Sequence, residues 1–223
     1  MKKYFKFIAR IFFIIVCAVG IYTNIVKTNS DAFMGNGTAL NFYTLQSNIL
    51  VLITEVILLF YSFSDVNKTS KFYRPIAILK YITTTAITLT FLVFWGMLAP
   101  YMELESLLEP SCILVHVITP IFMIIDFLIE NDKEMLKMRD VGYTLIPPVY
   151  YLVYCLVRAE ISDTTLTGGS RYPYWFIDVD MYGWFGNENG IGVIYWVILM
   201  VFIVLGIGFG LMFSKKKLKR NNV

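Results

Sequence analysis

"IGVIYWVILMVFIVLGIGFGLMF", residues 191–213, decides the fold class. It holds 23 residues without one charge, and "SKKKLKR" (214–220) follows at once. About 20 apolar residues suffice for a helix to cross a hydrocarbon core, and a basic stop next to such a run is the usual boundary. The whole chain agrees. Of its 223 residues 57% are hydrophobic and 16% charged, with mean hydropathy +0.65. A soluble domain of this size carries roughly 25% charged residues.

Five further stretches have nearly the same character, at 8–26, 42–63, 76–99, 111–129 and 141–158. The sequence therefore predicts an all-α, single-domain polytopic membrane protein (1–223): a bundle of six transmembrane helices with a basic tail at 214–223. The fifth stretch is the weakest, being short and holding Pro147 and Pro148. The first, "MKKYFKFIARIFFIIVCAVGIYT", starts like a signal peptide. Arg10 interrupts it late and no small-residue cleavage site follows, so it reads as a retained helix.

Charge placement predicts orientation. Lys2, Lys3, Lys6 and Arg10, then Lys68, Lys71 and Arg74, then Lys133, Lys137 and Arg139, then the tail all fall on one side of six crossings. The other side has Lys27, Arg158 and Arg171, and its middle loop "YMELESLLEP" has no basic residue. The positive-inside rule puts both termini in the cytoplasm of a multi-pass cell-membrane protein. The basic tail is then an anchor to anionic headgroups. Its charges flank spans and form no separate domain, so no nucleic-acid partner is expected.

Cys17, Cys112 and Cys155 form no paired spacing and read as buried free thiols, with no disulfide framework, zinc site or cofactor. In "GIGFG", Gly206 and Gly210 stand one turn apart and predict a small-residue packing face. No strand precedes them, so this is no dinucleotide loop.

Several polar groups sit where lipid should be. "NFYTLQSNIL" (41–50) opens the second span with Thr44, Gln46, Ser47 and Asn48. At about 100° per residue, Thr44, Asn48 and Glu55 fall within roughly 40° of one another, with Ser47 beside them and Gln46 off the stripe. A carboxylate facing lipid costs several kcal/mol, so this stripe should face the bundle interior. In the fourth span, "PSCILVHVITPIFMIIDFLIE", stands the sole histidine, His116, with Thr119 and Pro120 next and Asp126 ten residues on. Pro120 removes a backbone hydrogen bond and frees a carbonyl near His116. With both spans entering from the outer side, Thr44 lies about one turn down and His116 roughly 9 Å down. The hydroxyl and imidazole can meet in the outer leaflet, with Glu55 and Asp126 deeper. A histidine that takes a proton from a hydroxyl enables attack on an acyl carbon. The bland alternative is helix–helix hydrogen bonding, with Thr83, Thr84, Thr85, Thr88 and Thr90 of the third span bonded to their own i−4 carbonyls or packed against neighbours. Glu55 and Asp126 would serve an ion-coupled carrier as its relay, although no inverted repeat is visible. In the last outer loop, Tyr172, Tyr174, Trp175, Phe176 and Trp184 suit an interfacial belt. Asp178 and Asp180 are candidates for a cavity mouth, and their spacing matches no metal cage.

Four features together resemble one family: "FYTLQSN" opening the second span, "HVITPIFMIID" in the fourth, "RYPYWFIDV" before the sixth, and the six-span layout. The chain resembles the androgen-induced protein family, and most of all its small bacterial integral-membrane relatives. The animal members are intramembrane hydrolases of fatty acid esters of hydroxy fatty acids. The resemblance implies Thr44 as nucleophile and His116 as base, with a membrane lipid or fatty-acyl ester as substrate. It also implies supporting roles for Asp126, Tyr172 and Asp178, beside the stripe residues Asn48, Ser47 and Glu55. Asn48 is expected either to bond the substrate carbonyl or to hold His116. The "QSN" after Thr44 follows the bacterial pattern, and the step from His116 to Pro120 is one residue shorter than in animal members. Oligomeric state is not readable.

Overall fold

The computed structural model describes residues 2–30, 38–63, 73–130 and 136–221. Asn36, whose "NGT" forms a glycosylation sequon, and the loop charges Lys68, Lys71 and Lys133 lie outside them. Among the described residues six helices are long and apolar enough to cross a membrane. They are α1 (Tyr4–Asn29), α2 (Tyr43–Phe63), α3 (Arg74–Tyr101), α4 (Pro110–Ile129), α5 (Met138–Ile161) and α6 (Val193–Leu218). The protein is an all-helical, multi-pass membrane protein.

The helices alternate in direction. The C-terminal ends of α1, α3 and α5 meet the N-terminal ends of α2, α4 and α6. The most buried helix is α3, which packs on α2, α4 and α6. Helices α1 and α6 are the most exposed, with Phe5, Phe12, Phe202 and Phe213 turned outward. Such a surface suits hydrocarbon, so it is packing and interhelical polar contact that hold the bundle.

Those contacts are numerous. Ser47 and Thr90 hydroxyls lie 2.7 Å apart across α2 and α3, and Thr54 and Thr83 hydroxyls 2.9 Å apart. Thr84, Thr85, Thr88 and Thr90 bond their own i−4 carbonyls. The two prolines of α5 cause no break. A 3₁₀ stretch, Met138–Leu145, turns into α-helix at Ile146, so Pro147 and Pro148 occupy the first turn. There their missing N–H groups have no intrahelical partner to lose. Asp140 fixes this entry by accepting the Lys137 N–H at 2.7 Å and both contacts of Arg74 at the start of α3.

The glycines of α6 correct the expected packing face. Gly206 and Gly210 have open space where a Cβ would stand. The close approach is at Gly208, where a Cβ would sit 2.8 Å from the Tyr81 hydroxyl and 3.3 Å from Val141. Spacing alone put the small-residue face on the wrong side of the helix. The three cysteines are free and buried.

Candidate functional site

Thr44 is the second residue of α2, and His116 lies about two turns into α4. The Thr44 Oγ1 to His116 Nε2 distance is 3.2 Å. The imidazole tautomer follows from its other nitrogen. Nδ1 lies 3.1 Å from the Cys112 carbonyl oxygen, which only accepts, and 3.5 Å from the Cys112 Sγ; the shorter carbonyl contact assigns the proton of a neutral ring to Nδ1. Nε2 is then an acceptor, and the Thr44 hydroxyl donates to it. A hydroxyl that already points its proton at a neutral imidazole is set up for general-base activation.

The backbone around His116 is irregular, for a local reason. Residues Leu114–Ile118 form a π-helical turn, closed by the Thr119 N–H on the Leu114 carbonyl. Pro120 has no N–H to give to the His116 carbonyl four residues earlier. Trp95 Nε1 supplies the missing donor at 3.3 Å. Trp95 belongs to a second π-helical turn, Phe94–Leu98 of α3. The adjacent Phe94 ring stacks on the imidazole, with centroids 3.5 Å apart and planes 15° from parallel. The ring is thus held in plane by stacking and in rotation by Cys112, and His116 is buried. π-turns of this kind recur at functional sites.

Asn48 is buried, and its amide donates to main-chain carbonyls. Its Nδ2 donates to the Thr44 carbonyl at 2.8 Å and to the Val115 carbonyl at 3.2 Å. It ties α2 to α4 beside the pair but does not touch His116, and both amide hydrogens are committed. Ser47 bonds the Thr44 carbonyl and Thr90. Gln46 donates to the Leu40 carbonyl.

Thr44 lines an apolar cleft. The cleft runs between α3, α5 and α6, lined by Leu89, Val93, Leu152, Trp196, Met200 and Val204 among others. The nine-residue step from Leu89 to Leu98 on α3 gives it a length of about 14 Å. Its head is closed by the segment before α6. Tyr174 and Phe176, expected in an interfacial belt, turn inward and line the cleft. They stack on each other at 5.2 Å. The Tyr174 hydroxyl accepts the Tyr43 N–H at 3.1 Å, capping the start of α2 from another part of the chain. Burial pushes the Tyr174 hydroxyl up to about 12, so it keeps its proton at neutral pH. Trp184 remains largely exposed.

The loop acids do not line a cleft mouth. Asp178 accepts the Ser170 hydroxyl at 2.6 Å and the Met181 N–H at 2.9 Å, capping the turn Val179–Tyr182. Asp180 pairs with Arg171. Tyr172 is buried in the hydrophobic cluster under the loop. Arg171 and Arg158 hold the loop against the end of α5, through the Ala159 and Arg171 carbonyls. These residues hold in place the segment that carries Tyr174.

Toward the other end of the bundle lies a charged cluster that sequence reasoning identified only in part. Glu55 is fully buried, with Arg10 Nε 3.0 Å from its Oε2. The contact is an ion pair without hydrogen-bond alignment, and the Glu55 oxygens make no directed hydrogen bond. Arg10 also reaches Asp126 at 3.0 Å. Lys80 pairs with both Asp126 and Glu130, and Tyr73 donates to Glu130 at 3.4 Å. Arg10 thus joins this cluster from within α1. Lys80 lies inside the predicted 76–99 span, and a lysine at that position was itself a signal of buried partners. Among the described residues no group of histidine, cysteine and acidic side chains is disposed to hold a metal ion.

No family model matches this chain, and neither a curated protein nor a solved structure does.

Proposed function

We propose that this membrane protein hydrolyses fatty-acyl esters, with Thr44 as nucleophile and His116 as general base and acid. One observation carries the reading: the Thr44 hydroxyl lies 3.2 Å from an imidazole nitrogen whose tautomer makes it an acceptor, on the wall of an apolar cleft.

An acyl chain in the cleft would bring its ester carbonyl to Thr44. The Thr44 oxygen attacks the carbonyl carbon while its proton passes to His116 Nε2, and the carbonyl electron pair moves to oxygen. The tetrahedral intermediate expels the alcohol, which takes the proton from the imidazolium. Water then attacks the acyl-threonine, giving its proton to His116. The fatty acid leaves, and Thr44 recovers a proton. The apolar wall excludes bulk water and strengthens each of these polar contacts.

The same proposal includes membership of the androgen-induced protein family, supported by "FYTLQSN", "HVITPIFMIID" and "RYPYWFIDV". It also includes cytoplasmic termini in a cell membrane, supported by the loop charges, with the cleft opening in the outer leaflet. Glu55 and Asp126 do not serve a carrier on this reading. Each is matched by Arg10 or Lys80, so they join helices and relay no ion.

A serine-reactive fluorophosphonate tests the assignment. It should label the wild-type protein and leave Thr44→Ala unlabelled. Equal labelling of the two proteins would remove Thr44 as nucleophile.

A further inference from the structure

We propose that the Tyr174 hydroxyl donates the hydrogen bond that stabilises the oxyanion as Thr44 attacks a bound ester. The inference rests on the hydrolase reading above. A transition state with charge on the former carbonyl oxygen needs a donor beside the nucleophile, fixed before the reaction begins. Three donors near Thr44 are spent, and the Tyr43 hydroxyl, also on the cleft, is buried without a partner among the described residues and is the competing donor. Both Asn48 amide hydrogens go to main-chain carbonyls. The Ser47 hydroxyl is engaged by the Thr44 carbonyl and Thr90. Tyr151, also on the cleft, donates to the Asn41 carbonyl at 2.8 Å.

Tyr174 differs from these. Its oxygen accepts the Tyr43 N–H, so its proton is not consumed by that bond. Tyr174 lines the same cleft as Thr44, and its oxygen takes the N–H of Tyr43, the residue before the nucleophile. It therefore stands at the cleft head, beside the group that attacks. Accepting from the first N–H group of a 21-residue helix polarises the phenol and makes it a stronger donor. Its place is fixed by stacking on Phe176 and by the Asp178 and Arg171 contacts that hold the loop. During attack the Tyr174 proton stays on the phenol oxygen and is hydrogen-bonded to the oxyanion.

The test is hydrolysis of 4-nitrophenyl octanoate by the full chain in detergent. Tyr174→Phe keeps the ring and removes the donor. We expect kcat to fall about 100-fold, the usual effect of removing one such donor, with KM and melting temperature little changed. A kcat within a few-fold of wild type, alongside an inactive Thr44→Ala, would overturn the role of Tyr174 and leave the hydrolase reading standing. An active Thr44→Ala would refute the nucleophile, and Tyr174 with it. If Tyr174→Phe does not fold, 3-fluorotyrosine at position 174 decides the matter. It has the same shape and a more acidic hydroxyl. A changed kcat at unchanged melting temperature supports the assignment, and an unchanged kcat overturns it.

Discussion

Arg10 and Glu55 meet at 3.0 Å between α1 and α2, with Glu55 wholly buried and Arg10 nearly so. Charges in such a place are stable only while each has its partner. Deleting one leaves the other buried and uncompensated, which costs about 3–5 kcal/mol, whereas replacing both by apolar side chains is often neutral.

Arg10→Met should therefore destabilise the bundle by about that amount, read by unfolding in mixed detergent micelles. Adding Glu55→Leu should restore much of the loss, because Asp126 and Glu130 keep Lys80. A double variant no more stable than Arg10→Met would show that Glu55 is held by something else.

Trp95 and Pro120 form a second coupled pair. The indole N–H occupies the His116 carbonyl that the proline leaves without a helical donor. Trp95→Phe should cost about 1–3 kcal/mol by orphaning that carbonyl. In a Pro120→Ala background the new alanine N–H can take the carbonyl, so the same Trp95→Phe change should cost less. A double-mutant cycle on melting stability measures the difference. Additive effects would break the link.

Gly208 and Gly206 should respond oppositely to alanine. At Gly208 the added Cβ meets the Tyr81 hydroxyl at 2.8 Å, so the buried phenol or α6 itself must give way. At Gly206 nothing lies within 4 Å, and alanine is the better helix former. Gly208→Ala should lower the melting temperature by several degrees and Gly206→Ala should not, each followed by the thermal aggregation of purified protein.

What the sequence made legible follows from what each physical signal encodes. Long uncharged runs such as 191–213 report directly on helices in lipid, so the span count could be read off. Depth was also readable: counting residues from the span ends placed Thr44 and His116 at one height, and they lie 3.2 Å apart. Azimuth was less so. Gly206 and Gly210 share a face, but spacing does not say which face meets a neighbour. The partners of His116 were hidden for another reason. Cys112 acts through its carbonyl, which every residue has, and Trp95 and Phe94 approach through a π-turn that shifts the helical phase. Tyr174 stands 130 residues from Thr44 in the chain, and its aromatic neighbours made it look like a belt residue. A lone intramembrane lysine such as Lys80 calls for buried carboxylates, and Asp126 and Glu130 are those partners.

The cleft itself gives the last prediction. Met200 lines it on α6, one helical turn from Val204 and one from Trp196. A tryptophan there fills the part of the cleft that would hold the distal methylenes, while the cleft head is untouched. Each methylene denied burial forfeits about 0.8 kcal/mol, so excluding four would cost about 3 kcal/mol, or roughly 200-fold in kcat/KM. Met200→Trp should therefore lower kcat/KM on a 4-nitrophenyl octanoate far more than on the butanoate, by up to that factor. The butanoate ends before the new side chain and should be hydrolysed almost as by wild type. Equal losses on the two esters would mean that the acyl chain does not lie along α6, and the cleft would lose its assignment as the chain-binding site.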